Sequence, residues 1–340
     1  MEFKQKVIIF GSIIGGLILL YIAGLVISNA TFGATTVALF PELDAGKINL
    51  VTITDKNGSI TLKKTGDQWN VVVQGKEFPG DNEEIEQLLK SVTSIKQNRI
   101  ASQLPDTWTQ FEVDPVNAVH TVLSQDENVL IDIYIGKSGS DGISEYVRLN
   151  NSDEVIQTAD RIVFTSRTRE WAAKKFIQEQ VAINDLEAIS IRSTLAFDET
   201  GNLDLAKMGT LTAYTIEHTR TENRSKFTVA GDPSATLSMD AVNQLLYAIY
   251  DFRTEDILVN PDQYPINTAM PLATVSLKLK GGINHTLSVV GRAKENNSVL
   301  YITDPARPYF YTSMSWSFKK VVPPLSSLIQ PKPFIIQQAQ

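Results

Sequence analysis

His120, His218 and His285 are the residues of this chain best suited to metal or proton-transfer chemistry, and their spacing tests that role first. A hydrolytic metal centre needs ligands close together, such as two histidines four apart on a helix with a glutamate between them. These three fall in separate strand-like segments without such spacing and read as strand residues. Gly136-Lys137-Ser138 follows a strand like the end of a phosphate-binding loop, but the glycine required five positions earlier is Ile131. Gly136 is therefore expected to serve a turn or a bulge. Asp55-x-Asn57-Gly58 opens like a calcium loop, yet its glycine comes two positions early and Gly66 stands where the closing glutamate belongs.

The remaining chemistries have less to start from. The chain contains no cysteine, which excludes disulfides, thiolate metal sites and a cysteine nucleophile. No nucleophile elbow or serine–lysine pair with supporting partners is present. Acidic pairs such as Asp126-Glu127 and Glu83-Glu84 fall in a loop and at a helix start, where solvated carboxylates are usual. The net charge of -7, with acids and bases dispersed, lacks the basic footprint of a nucleic-acid binder. The expectation is a non-enzyme with no catalytic, metal or cofactor residues; an envelope hydrolase with converging carboxylates is the enzymatic alternative.

The elements that would position any site come in two sets. Ile85, Leu88, Leu89, Val92 and Ile95 recur as Val242, Leu245, Leu246, Ile249 and Phe252, at a constant offset of 157. Each set forms one apolar stripe of a helix, started by Asp81 with Glu84 in the first copy and by Ser238 in the second. Three alternating segments precede each helix and three follow it. Ile100 matches Ile257, Gly136 matches Gly291, and Tyr146-Val147 matches Tyr301-Ile302. Of the outward residues, Glu83, Glu86, Gln87 and Lys90 stand against Asp240, Asn243, Gln244 and Tyr247; the glutamines match and the other three pairs differ. This pattern predicts an α+β fold of two tandem related domains, each a mostly antiparallel sheet with one main amphipathic helix, at 47–160 and 184–322. A basic aromatic stretch, 161–183, is expected to form a short connecting amphipathic helix, and 323–340 a proline-containing tail. Trp171-x-x-Lys174-Lys175 is echoed by Trp316-x-x-Lys319-Lys320; both are candidate contacts for a partner or for anionic lipid.

Before the domains, residues 1–6 carry Lys4 and Lys6, and 7–27 run without a charge for long enough to cross a bilayer. The lysine side predicts an N-terminus in the cytoplasm, a single-pass helix in the inner membrane, a linker at 28–46 and an extracytoplasmic, periplasmic body. Cleavage after Ser28-Asn29-Ala30 as a signal peptide is the competing expectation, though the apolar run is longer than usual for one. Gly11 and Gly15 have the spacing that lets a second membrane helix approach closely.

The ordered set Ile53, Gly58-x-Ile60-x-Leu62-x-Lys64, Trp69, the Asp81-initiated helix ending near Arg99, Phe111-x-x-x-Pro115, Ile133-x-Ile135-Gly136-Lys137 and Tyr146-Val147-Arg148 resembles a bacterial family. It is the domain-of-unknown-function family numbered four-three-four-zero, whose members are anchored extracytoplasmic proteins often encoded beside gliding-motility-type ABC transporter genes. The resemblance covers about residues 47 to 160, and 184 to 322 as a weaker copy with Ser238 for the capping aspartate, Arg292 for the lysine after glycine, and no tryptophan like Trp69. It implies a membrane-anchored accessory or scaffold component of an ABC-type transport system, with a permease or companion extracytoplasmic subunit as partner. It carries over no functional residues. The alternative is an extracytoplasmic binding protein for an envelope glycan, lipid or small solute.

Overall fold

In a computed structural model the described residues are 37–177, 181–221 and 224–330. The expected membrane helix at 7–27, with Gly11 and Gly15, lies outside them. Among the described residues no helix is long and apolar enough to cross a membrane.

The first half supplies strands β1 (Val37–Ala38), β2 (Leu50–Asp55), β3 (Gly58–Thr65), β4 (Gln68–Val73) and β5 (Lys76–Pro79). Helix α1 (Asn82–Thr93) follows, then β6 (Lys96–Ser102), β7 (Val119–Gln125), β8 (Asn128–Ser138), β9 (Glu145–Leu149) and β10 (Val155–Thr158). The second half supplies β11 (Leu186–Ser193), β12 (Thr212–Thr221), β13 (Arg224–Val229) and helix α2 (Met239–Tyr250). It ends with β14 (Asp256–Ile257), β15 (Ala273–Leu279), β16 (Asn284–Arg292), β17 (Val299–Thr303) and β18 (Phe310–Met314). The fold class is α+β, with antiparallel sheets predominating.

The chain forms two compact units: Glu86–Ser166 with the described residues up to Ser59, and Ile60–Ile85 with the residues from Arg167 onward. In unit one the strands hydrogen-bond in the order β1-β6-β10-β9-β8-β7-β2. In unit two the sheet runs β14-β18-β17-β16-β15-β11-β12-β13. The order β6-β10-β9-β8-β7-β2 is thus met again as β14-β18-β17-β16-β15-β11. The division does not fall at 161–183 alone, because the β3-β4-β5 meander belongs to unit two. There Gly80 pairs with Ala172 in an isolated antiparallel bridge, the Ala173 N–H donates to the Pro79 carbonyl at 2.9 Å, and Phe78 packs with Ile257 and Tyr311.

Backbone bonds to other segments also explain why the short helix expected at 161–183 is reduced to a single turn in its described part. Its described part has one helical turn, Thr168–Trp171, after which Phe176 N–H donates to Phe252 and Lys175 bridges Arg253. A donor committed to a neighbouring segment cannot also close a helical turn. Helix α1 likewise ends at Thr93, short of the expected Arg99, since 96–102 pair with β10 instead.

Local chemistry sets the helix starts as expected. The Asp81 carboxylate accepts the Glu84 N–H at 3.3 Å, and Ser238 Oγ accepts the Ala241 N–H. In α2 the stripe Val242, Leu245, Leu246 and Ile249 is buried with Ile189, Ile216, Val275 and Leu300 of the sheet. Each such side chain contributes about 1.5–3 kcal/mol when taken out of water. A smaller cluster in each unit centres on the sheet tyrosine: Tyr146 with Val113 and Phe111 in unit one, Tyr301 with Leu258 and Ile266 in unit two.

Candidate functional site

The histidines are held by their surroundings rather than gathered into one centre. His120 Nε2 lies 2.7 Å from Asp132 Oδ1, and its ring stacks on Tyr134 at 4.4 Å. His218 is buried, with Nδ1 2.8 Å from the Leu186 carbonyl and its ring stacked on Phe227. His285 borders a recess of about 480 Å³ with Asp185 and Lys280. Among the described residues no three His, Asp or Glu side chains are grouped to hold a metal ion. Asp55 is engaged by Ser166: burial pushes its carboxyl up, but bonds from Ser166 and Asn57 together hold it below the ordinary carboxylate value. Gly136 sits at a register shift between Ile135 and Ser138, and Gly291 beside one between Val289 and Gly291, so both belong to bulges.

Unit one buries a second carboxylate. Glu145 is 5 % exposed, accepts the Ile162 N–H at 2.9 Å and faces Arg161 Nε at 3.2 Å. Burial dominates and pushes its pKa up despite both donors. The folded state therefore holds this proton more tightly than the unfolded chain does, so the group's contribution is greatest at low pH and is lost as pH rises through the raised pKa. Glu145→Gln is expected to raise the melting temperature at pH 7 and to match the parent chain near pH 4. Thermal unfolding at the two pH values checks this; a variant less stable than the parent at pH 7 would show that the two donors outweigh burial.

A groove of about 940 Å³ runs along helix α2 in unit two. Leu245, Phe252 and Leu328, each buried, form its floor. Phe318 packs edge-on against Phe252 at 6.0 Å, which ties the 315–318 turn to the end of α2. Two aromatic residues of the lining remain open to solvent, Tyr247 at 72 % and Trp316 at 47 %. The rim carries Asp251, Arg253, Glu255 and Lys320. Arg253 Nε lies 3.8 Å from Asp251 Oδ1, and the Lys320 ammonium sits 5.5 Å from the Trp316 ring centroid. The outward face of α2 supplies Asn243, Gln244 and Tyr247 to this lining, of which Asn243 and Tyr247 differ from their α1 counterparts Glu86 and Lys90.

Of the residues marked by the Trp-x-x-Lys-Lys echo, Trp316 and Lys320 thus meet in the groove. Lys319 does not join them: its ammonium donates to the Asp198 carbonyl at 2.8 Å. Trp171 is 6 % exposed and packs in the interior, so its place in the structure is that of a core side chain and not of a surface contact. The Lys174 carbonyl accepts from Thr254, while the Lys175 side chain is exposed. The identical spacing has different surroundings because Trp171 lies where the meander covers its turn, through Asp81 N–H bonded to the Trp171 carbonyl.

Arg148 is a structural centre that the sequence pattern did not single out by role. It is 2 % exposed, with its guanidinium 3.8 Å from the Trp108 ring centroid and 4.3 Å from that of Tyr134. The signal exists only in the register, which sets His120 opposite Tyr134 and Tyr134 opposite Arg148.

No curated protein matches the chain. A family model described as Domain of unknown function (DUF4340) matches residues 69–269, from the fully buried Trp69 through α1, the 161–183 segment and α2 to the loop before β15. That match spans more than half of the 340 residues, and the chain belongs to this DUF4340 family.

Proposed function

We propose that this chain is a non-enzymatic accessory component of an ABC-type transport system, anchored in the inner membrane by residues 7–27 with its body outside the cytoplasm. Two related domains stand on that anchor, and the groove of unit two is the surface with which the body binds. The observation that carries the reading is the placement of the groove. It lies on the outward face of the second helix, where Asn243, Tyr247 and Ala248 stand for Glu86, Lys90 and Ser91 of the first, and it leaves Tyr247 and Trp316 exposed where a soluble surface would gain nothing from them. Gly11 and Gly15 would serve contact with a permease helix.

The test is purification of the tagged full chain from its own membranes in mild detergent, followed by mass spectrometry. Co-purification of an ABC permease or a companion extracytoplasmic subunit is the expected result. Recovery of neither, above an untagged control, overturns the transport reading.

A further inference from the structure

We propose that the unit-two groove holds an oligosaccharide of low net charge, stacked on Trp316 and Tyr247. The proposal rests on the reading of this groove as the binding surface and names the class of molecule that fits it.

A pyranose ring has a face of C–H groups and an edge of hydroxyls. The first is best buried on a flat aromatic ring, and the second needs donors and acceptors at the rim. The groove offers both: exposed indole and phenol rings above an apolar floor, with the amides of Asn243 and Gln244 and the carboxylates of Asp251 and Glu255 beside them. Planar amide and carboxylate groups can each meet two neighbouring hydroxyls. At about 940 Å³ the space is at the upper end of the usual ligand range of roughly 300–1,000 Å³, enough for several sugar rings.

Charge separates this ligand from others. The rim sets two acids, Asp251 and Glu255, against two bases, Arg253 and Lys320. Arg253 already faces Asp251, and Lys320 lies over the Trp316 ring. A phosphate, a sulfate or an anionic headgroup would meet two carboxylates in the same groove without an uncommitted cluster of bases.

The exposed tryptophan is also held in place. Ser315 N–H donates to the Ser298 carbonyl at 2.7 Å, and Ser315 Oγ donates to the Gly201 carbonyl at 2.8 Å. Gly201, at φ +89°, lets the 198–203 loop close onto Trp316; a Cβ there would lie 2.7 Å from the Trp316 Cβ. A ring fixed before binding loses little freedom when the ligand arrives. The first copy lacks these features, carrying Glu84, Lys90 and Ser91 where the second has Ala241, Tyr247 and Ala248. The tyrosine of the lining is therefore particular to the second copy.

The experiment is calorimetric titration of the full chain in lipid nanodiscs, free of sugar-headed detergent, with cellotetraose, chitotetraose and a sulfated heparin tetrasaccharide. Saturable binding of a neutral probe is expected, weakened about tenfold or more by Trp316→Ala and by Tyr247→Ala and largely retained by Trp316→Phe. Both side chains are solvent-exposed, so the variants should melt with the parent chain. Absence of heat from both neutral probes at millimolar concentration overturns the proposal. So does binding indifferent to both alanine substitutions, or tighter binding of the sulfated probe. Sugar binding without a co-purifying permease would support the proposal and overturn the transport reading; a permease without sugar binding would do the reverse.

Discussion

Gly136→Ala is expected to destabilise unit one by more than about 3 kcal/mol, and Gly291→Ala to do the same in unit two. Neither glycine is required for a left-handed backbone. Each is required because a loop crosses the sheet face directly over it. A Cβ on Gly136 would be driven into the Phe111 carbonyl and would stand 2.8 Å from Val113 Cγ1. One on Gly291 would be driven into the Pro265 carbonyl and would stand 3.0 Å from Tyr301 Cδ2. Backbone cannot step aside as a flexible side chain can, so the loop must lift. In unit one that uncovers Val113 and separates Phe111 from Tyr146, whose rings lie 4.6 Å apart. In unit two it breaks the Asn267 N–H bond to the Val290 carbonyl and parts Tyr264 from Tyr301. Gly142, at φ +72° with open space around it, provides the comparison: Gly142→Ala should cost only the left-handed penalty of about 1–2 kcal/mol. Chemical denaturation of the three variants decides the matter. Gly136→Ala costing no more than Gly142→Ala would mean that the crossing loop yields freely.

That paired role was partly visible before the fold. Matching Gly136 to Gly291 needed only spacing, and the bulge needed only the failure of the phosphate-loop motif. The crossing loop itself was hidden, because Phe111 and Pro265 lie far from those glycines in sequence and meet them only when the sheet forms. The same division runs through the rest of the structure. Strands with alternating apolar residues, such as β2 with Val51 and Ile53, announce themselves because one face is buried. Strand β6 does not: its sequence Lys96–Ser102 is polar, and its identity comes from pairing Arg99 with Gln157 and Ile100 with Ile156. Periodicity marks what an element buries, and pairing partners decide what a polar segment becomes.

The groove shows the limit from the other side. Divergence of the outer helix face pointed to Tyr247, and the Trp-x-x-Lys-Lys echo pointed to Trp316 and Lys320. Their meeting in one lining depends on Phe252 and Phe318 holding the end of α2 to the 315–318 turn. Sequence treated Trp171 and Trp316 alike. Burial separates them, leaving one as core at 6 % exposure and the other as surface at 47 %.

Arg148→Ala is expected to cost unit one about 3–5 kcal/mol, and Arg148→Lys about 2–3 kcal/mol, although lysine keeps the charge. The guanidinium is a flat plate between two rings, and it also carries donors at its edge. Its Nε donates to the Val113 carbonyl at 3.2 Å, and one terminal nitrogen donates to the carbonyls of Leu149 and Ser152 at 3.2 and 3.4 Å. Those bonds join the crossing loop to the turn after β9, and Trp108 Nε1 adds a second link by donating to Asp153. Burial lowers the Arg148 pKa, opposed by Tyr134 and by the carboxylates of Asp153 and Asp132, and the side chain stays charged. A lysine ammonium can follow one carbonyl but can neither stack on both rings nor reach all three acceptors. The stack is worth most where water is excluded, about 2 kcal/mol or more. A double-mutant cycle isolates it: Arg148→Ala and Trp108→Ala should show a coupling above about 1 kcal/mol in denaturant unfolding. Additive losses would assign the cost to the orphaned carbonyls alone and remove the stacked plate from the account of what holds the crossing loop down.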